Sequence, residues 1–571
     1  MEKQITRSDL FVYDMVHNNP GEKEYQSAYN NPTFLRERGY DGKIYELFYC
    51  AQYGLLWDGL TKKFGRGEVF PEGCEMRKWV ITRKEMLKKL YQANVDQGVS
   101  VLCHMDMIVF PIALTKLYPE IFDSTGKIDI AQPMTRILIE ELFDEMFSEF
   151  PQLDGIAIRY GETYTGECYG APYHMGNNPI LRGETIKYHV MLMNYLREIV
   201  CVKHQKNVYY RTWSWTNGVG VDPFQYNPDA YLSITNLVAP HKNFYLCIKH
   251  TTYDFHRCTV FNQTLNCGEH NQIVEVQAAR EYEGKGAYPN YIADGVINGF
   301  EESKWVMNCG TPHCLCDVIN VENSKIKGVW TWSRGGGWGG PYINGANGIN
   351  GEEKVLNGSE LWCDLNAYVI SQWAKDTSKS DRYYALKYAR EVLEMSEKDS
   401  LIFYEICLLS ARAVLFGKCC PKKDFPWVIE WTRDQNINPQ LFNANIQNII
   451  NAGIEDEMLF WNKRSVGLWQ EIVTLSEQIT TGNAKEYIEV TCKYGYYLYS
   501  IYETMYRANI YAQKGKNVKD LVIKYDELWE EWITLRKTND CCPTLFHKTG
   551  QKYIVGYNCR GFDDVMDWLR G

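Results

Sequence analysis

The sequence predicts a (β/α)8 TIM barrel followed by an all-α C-terminal domain. Three observations carry that expectation. Short β-rich apolar runs alternate with helical patterns from about residue 40 to 335, about eight such runs fit into roughly 300 residues, and the β signal ends after Gly358. Near-continuous apolar strands alternating with helices imply a parallel sheet covered by helices on its faces. Eight strands over that length approach the usual ~250 residues of the barrel. A doubly wound open sheet is the competing architecture, but no GxGxxG follows the first strand. The chain is therefore expected to divide into a barrel over 1–375 and a helical domain over 376–571.

Taken in order, the expected strands are Lys43–Tyr49, Val99–Asp106, Gly155–Arg159, Val208–Trp213, Phe244–Lys249, Ile273–Gln277 and Gly328–Trp332. Ala230–Thr235 and Ile292–Ile297 carry a weaker β pattern. Helical stretches such as Thr82–Asp96 and Met134–Phe150 lie between the first of these. In the second, Ile137, Leu138, Leu142, Met146 and Phe147 share one face while Glu140, Glu141 and Asp144 share the other. Past residue 376, Ser380–Met395 repeats apolar residues at i, i+3, i+4, i+7 and i+8 behind a capping Ser380. Val518–Trp532 follows the same rule, and Ala484–Gln513 is a long tyrosine-rich helix interrupted only by Gly495.

Composition narrows the function. With 61 Lys+Arg against 71 Asp+Glu, the net charge of −10 speaks against a protein that neutralises nucleic-acid phosphates, so no nucleic acid is expected as partner. The apolar stretches around Val99–Leu114 and Leu401–Leu415 are broken by His104, Asp106, Glu405 and Arg412, and no membrane span is expected. The start, MEKQITRSDLF, carries charges where a secretory signal is apolar, so the expected compartment is cytoplasmic, although a removed signal peptide would leave the same start. Nineteen cysteines, scattered and odd in number, read as reduced thiols rather than a disulfide framework. Cys309, His313, Cys314 and Cys316 lack the paired CxxC spacing of structural zinc, and neither a metal nor another cofactor is called for. Tyr and Trp are abundant, and their flat faces suit sugar rings as well as cores.

Chemistry in a (β/α)8 barrel sits at the carboxyl ends of the strands, which gives polar residues there functional weight. LDGIAIRYGETY places Arg159 and Glu162 past an apolar strand, and VYYRTWSW ends with Arg211, Trp213 and Trp215. FYLCIKHTTYDFHR delivers Lys249 and His250, then Asp254, His256 and Arg257. QIVEVQAAREYEG has Glu275 and Gln277 on one face, then Arg280 and Glu281, and GVWTWSRGGGW closes with Trp332 and Arg334. Unpaired buried charge costs several kcal/mol, so strands that break repeatedly into ions point to a cleft. Carboxylates beside stacking Trp fit glycoside hydrolysis, which needs one protonated and one ionised carboxyl. Arg or Lys would pair with a carboxylate on the sugar.

IKHTTYDFHR and IVEVQAAREYEG resemble the paired catalytic segments of the family 67 α-glucuronidases, a (β/α)8 family with a helical C-terminal domain. Lys249 to Asp254 matches the spacing of the first segment, and Asp254 to Glu281 is close to the interval between the two. The resemblance, over about residues 150–375, implies Glu162 as general acid and Asp254 with Glu281 as the pair that positions and deprotonates water, with inversion. It implies Arg211 as a contact to the substrate carboxylate. The family's N-terminal β-sandwich has no counterpart, because the barrel is expected to begin by about residue 40.

The expected substrate is thus an oligosaccharide or glycoside, of which an α-linked uronic acid is one form. Arg159, Arg211, Trp213, Lys249, His250, Glu275, Trp332 and Arg334 are the substrate-binding candidates, and Glu275 could replace Glu281 as the working carboxylate. Two rivals stay open. His104, Asp106, His250, Asp254 and His256 could surround a divalent ion in a metal-dependent hydrolase or lyase. A non-catalytic carbohydrate-binding barrel would use the same aromatic surfaces. The aromatic-rich helical domain could also provide a homodimer contact.

Overall fold

A computed structural model of the chain describes residues 5–15, 27–45, 49–160, 185–213, 215–216, 220–305, 312–333, 361–433, 436–542, 546, 548–549, 551–552 and 558–570. Eight strands form a closed parallel barrel: β1 (Phe11–Met15), β2 (Gly42–Tyr45), β3 (Ser100–Asp106), β4 (Leu153–Arg159), β5 (Asn207–Arg211), β6 (Phe244–Lys249), β7 (Asn271–Gln277) and β8 (Ile326–Trp332). Each strand neighbours the next in sequence, and β8 closes on β1. The registers pair Tyr13 with Gly42, His104 with Ala157, Tyr209 with Tyr245 and Lys249 with Glu275.

All seven main strand expectations fall on barrel strands, but the first strand comes earlier than expected and the two weaker runs are helical. β1 is only five residues long and carries Asp14 within it, which hides its apolar pattern. The cost of that carboxylate is met by Lys43 of β2, whose Nζ lies 2.6 Å from Asp14, both groups being buried. Residues 230–235 belong to the helix Pro228–Thr235, which Asn227 caps by accepting from Ala230 N. Proline at its first position already holds the helical φ. Residues 293–297 lie in the helix Ala293–Asn298, where Asn366 Oδ1 accepts from the N–H groups of Ile292 and Ala293. In both places a side-chain acceptor for the free N-terminal donors outweighs β propensity.

Contacts between strands that are not neighbours identify the inward side chains. Phe11 and Tyr13 of β1 meet Tyr209 of β5 and Phe11 meets Tyr245 of β6, with ring centroids 5.8–6.4 Å apart. Such contacts pass through the lumen, so these rings fill the amino-terminal end of the barrel. Gly328 of β8 makes room for them, because a Cβ there would lie 2.5 Å from the Phe11 ring. By the two-residue period of a strand, the same inward rows continue to His104, Asp106, Arg159, Arg211, Lys249, Glu275 and Trp330.

The chain divides into two compact units. The first holds Met1–Tyr253, Phe261–Val276 and Cys316–Thr331, which carry nearly all of the barrel. Its helices Glu75–Asp96 and Pro133–Glu149 each bury one stripe, Val80, Leu87 and Tyr91 in one and Leu138, Leu142 and Met146 in the other.

The second unit holds Asp254–Val260, Gln277–Leu315 and Trp332–Gly571. Its helices Leu361–Lys375, Asp381–Glu391, Glu397–Lys418, Pro439–Asn451, Glu455–Ser476, Lys485–Gln513 and Lys519–Thr538 pack through aromatic pairs such as Trp362–Phe403 and Trp469–Tyr499. Ser380 accepts from Tyr383 N, as its capping position predicts. Gly495 does not break its helix. It lets Trp469 approach, since a Cβ there would lie 2.3 Å from that ring. Among the described residues, Glu397–Lys418 is the one helix long and apolar enough to cross a membrane, and most of its apolar window is buried in protein.

Candidate active site

The carboxyl-terminal half of the lumen is built from ions rather than hydrocarbon. Arg211 donates Nε and Nη2 to the two oxygens of Glu275, at 2.7 and 2.8 Å. Its Nη1 lies 3.3 Å from His104 Nε2, and its guanidinium carbon lies 5.4 Å from the centroid of Trp330. Arg159 donates Nε to Asp106 at 2.6 Å. Lys249 Nζ stands 3.6 Å from the centroid of Trp213, which continues the inward row two residues past Arg211. All of these side chains are buried. In so dry a place each charge needs a partner, and other strands of the barrel supply it.

The structure thus brings six of the expected binding residues, Arg159, Arg211, Trp213, Lys249, Glu275 and Trp332, into the inward rows. It separates His250 from them. Strand alternation turns its ring to the opposite side from Lys249, 6.0 Å from Phe261. Glu275 has both oxygens committed to Arg211, and the forked face of Arg211 is committed to Glu275. Among the metal candidates, His104 faces a guanidinium and Asp106 holds another, an arrangement of cations where an ion would have to sit.

A second group lies within the helical unit. Asp254, His256 and Glu281 each present one atom, and these three atoms lie within 4.8 Å of one another. His256 Nε2 is 3.5 Å from Glu281 Oε2, and Nδ1 is 3.2 Å from Glu430 Oε1. The backbone N–H of Glu281 donates to the carbonyl of Phe255, which ties the two expected catalytic segments together at 3.2 Å. Burial works against a charged His256, but the carboxylates of Glu281 and Glu430, helped by Asp254, outweigh it and raise its pKa to about 9. His256 is therefore an imidazolium at neutral pH, and the group carries carboxylates around a fixed positive charge.

Next to it, Glu283 accepts from Arg257 Nε and Nη2 at 2.7 and 2.9 Å. Burial would raise the Glu283 carboxyl, but Arg257 holds it down at about 2. Trp332 packs edge-on to Phe255 at 5.9 Å. The two remaining candidates, Glu162 and Arg334, lie outside the described residues.

Two polar residues are not among the expected site residues. Glu430 stands far from either segment in sequence, and no local pattern marks it. Gln277 had a signal, since it shares the face of Glu275. It is fully buried at the end of β7, and neither amide atom has a hydrogen-bond partner among the described residues. A buried amide in that state is uncommon in folded proteins.

No protein-family model matches the chain, and no curated protein matches it in sequence. Solved structures do resemble it. A GH138 enzyme targeting pectin rhamnogalacturonan II aligns over 94% of this chain and 63% of its own, with TM-score 0.48 and 8% identity. A mutant O-GlcNAc hydrolase of Thermobaculum terrenum aligns over 99% of this chain and 93% of its own, with TM-score 0.41 and 9% identity. CpGH84B aligns over 95% and 75%, with TM-score 0.39 and 10% identity. The chain thus spans a little under two thirds of the GH138 enzyme's length. All three are glycoside hydrolases and none is named a family 67 enzyme; at these values neither their chemistry nor their substrates carry over to this chain.

Proposed function

We propose that the chain is a glycoside hydrolase that works by carboxylate acid–base catalysis with inversion. The observation that carries this reading is the meeting of Asp254 and Glu281 around His256, with one oxygen of each carboxylate within 4.8 Å of the other. One water donating two hydrogen bonds of ~2.7 Å spans such a gap. Two carboxylates on one water can orient it and take its proton as it attacks the anomeric carbon. Glu162, by its place in RYGETYTGE, would protonate the leaving oxygen. The bond from the anomeric carbon to the leaving oxygen breaks as the bond to water forms. His256 Nε2 lies 3.5 Å from Glu281 Oε2, which sets a positive charge beside the proposed base.

The substrate of this reading is an oligosaccharide or glycoside, in its finer form an α-linked uronic acid. The resemblance of IKHTTYDFHR and IVEVQAAREYEG to the family 67 segments is what supports an acidic sugar. Since Glu275 already fills the fork of Arg211, Glu281 is the better working carboxylate of the two. A screen of aryl α- and β-glycosides and uronides, with products followed by proton NMR, tests sugar and stereochemistry together. Turnover of an α-uronide with inversion supports the full reading. Turnover of a neutral glycoside supports the hydrolase but not the uronate, and retention at the anomeric carbon overturns the mechanism.

A second reading has its own observation. Asp254, His256 and Glu281 match the reach of a divalent ion, and Glu430 on the far nitrogen of His256 resembles the carboxylate that orients a ligating imidazole. Activity abolished by a chelator and restored by a divalent ion would favour it. Activity indifferent to the chelator would remove it.

A further inference from the structure

Glu281 and Glu283 stand two residues apart in sequence, yet they serve different cations. Glu281 Oε2 lies 3.5 Å from His256 Nε2, while Glu283 takes the fork of Arg257 at 2.7 and 2.9 Å. Tyr282, between them, has φ of +64°, in the left-handed region. For an aromatic residue this is a genuine outlier, and it persists only where the surroundings hold it. The Tyr282 ring lies against the imidazole of His256, with centroids 4.9 Å apart. Its carbonyl accepts from two buried side chains, Lys418 Nζ at 3.1 Å and Thr432 Oγ1 at 2.9 Å. Lys418 Nζ also donates to Thr432 Oγ1 at 2.5 Å, so ammonium, hydroxyl and carbonyl close a triangle. On the amino-terminal side, the N–H of Glu281 donates to the Phe255 carbonyl at 3.2 Å. Backbone groups thus fix Glu281 from both sides.

Lys418 is an unusual donor for such a bond. It ends the helix Glu397–Lys418 and is 2% exposed. Its charge is met at contact by a carbonyl and a hydroxyl, with Glu283 acting from further off. Burial pulls its pKa down to about 8 against the upward pull of Glu283, so it stays largely charged at neutral pH. Burying an ammonium in this way is costly, and methionine would fill a similar space without that cost. A cation at the carboxyl end of a helix is favourable, but a solvated one serves that purpose as well. Packing alone therefore does not call for lysine here, whereas the bond to the Tyr282 carbonyl does. Thr432 comes from the same short stretch as Glu430, which reaches the other nitrogen of His256 at 3.2 Å.

We propose that Lys418, together with Thr432, is a positioning residue for Glu281. By holding the Tyr282 carbonyl it keeps the left-handed turn that aims the Glu281 carboxylate at His256 and at the attacking water. The proposal rests on the hydrolase reading for what Glu281 does, and on the hydrogen bonds alone for where Glu281 stands.

The test compares the whole protein with Lys418→Met, Thr432→Val and the two combined. Crystal structures read the clamp without turnover. With both donors gone, Tyr282 should leave the left-handed region and Glu281 should move from His256 by ~1 Å or more. On the aryl glycoside that the screen identifies, kcat should fall about tenfold in each single variant and about 10²-fold in the double, since a misplacement of ~1 Å can cost that much. KM should stay within about twofold of the parent. Thr432→Ser, which keeps the hydroxyl, should restore the kcat lost in Thr432→Val. A purely structural role would lower the melting temperature and leave kcat of the folded variants unchanged, and that result overturns the proposal. So does a double variant in which Tyr282 stays left-handed and Glu281 still faces His256. The single variants carry the same comparison where the double does not fold. If the parent turns over no glycoside, the hydrolase reading fails, and the crystal structures still decide the clamp.

Discussion

Arg211 and Glu275 stand on strands two apart in the barrel, and their side chains join by two parallel hydrogen bonds of 2.7 and 2.8 Å through its lumen. Both are buried, so each is the other's counter-ion, and the pair ties β5 to β7 at the level where the lumen changes from aromatic to ionic. Glu275→Gln takes away the carboxylate charge that faces the guanidinium. Breaking such a buried pair costs about 3–5 kcal/mol. Urea unfolding followed by circular dichroism should show that loss, and a change below about 1 kcal/mol would mean that the pair is not structural.

Glu281→Gln and Asp254→Asn should be read first in turnover. Their side chains serve the proposed water, so turnover on the substrate found by screening should fall about 10²–10⁴-fold in protein that still folds, with Glu281→Gln also lowering the unfolding midpoint because it takes a carboxylate away from the buried His256 imidazolium. Glu162→Gln should lose turnover and keep substrate binding. Equal activity in the parent and Glu281→Gln would remove this residue from the chemistry.

His256 predicts a pH dependence of stability. Its folded value of about 9 exceeds the ordinary 6.5, because Glu281, Glu430 and Asp254 outweigh burial. A raised value stabilises the fold fully below 6.5, and that contribution is lost as pH climbs through about 9. The melting temperature of the parent should decline over this window, and His256→Gln should flatten the decline. Glu430→Gln should lower the imidazole titration seen by NMR. An imidazole titrating near 6.5 in the parent would mean that these carboxylates do not hold it charged.

Removal of divalent ions separates the two readings of the cluster. Dialysis against EDTA should leave glycoside turnover unchanged if Asp254 and Glu281 work on water as carboxylates. Loss of turnover, with recovery on adding back zinc or manganese, would transfer the chemistry to an ion.

Gly495 offers a test of the helical packing. A methyl at that position meets the Trp469 ring at 2.3 Å, so Gly495→Ala must move an indole that is itself fully buried. Overpacking of this kind costs about 1–3 kcal/mol, although the same change on an exposed helix face would stabilise. Thermal unfolding of the two chains side by side measures it.

How much of this was legible in the sequence follows from the range of each interaction. Strands such as Phe244–Lys249 and the capped helix after Ser380 declare themselves through periodicity and caps, which depend on neighbours a few residues away. The polar runs that hold Asp254 and Glu281 could be seen as well, because each directly follows an apolar strand, whereas their pairing was implied only by the resemblance to the family 67 segments. What the sequence could not show were the partners. Asp14 hid β1 until Lys43 of the next strand neutralised it, and Asn366 turned residues 293–297 into a helix from about 70 positions away. Arg211 looked like a substrate contact, yet Glu275 occupies its fork, and Glu430 reaches His256 from a region with no motif at all. Local pattern determined which elements exist and which residues are polar at their ends. Only tertiary structure decided which charges pair inside it, because a buried ion takes whichever counter-charge the closed barrel or the packed helices bring within reach, whatever their distance along the chain.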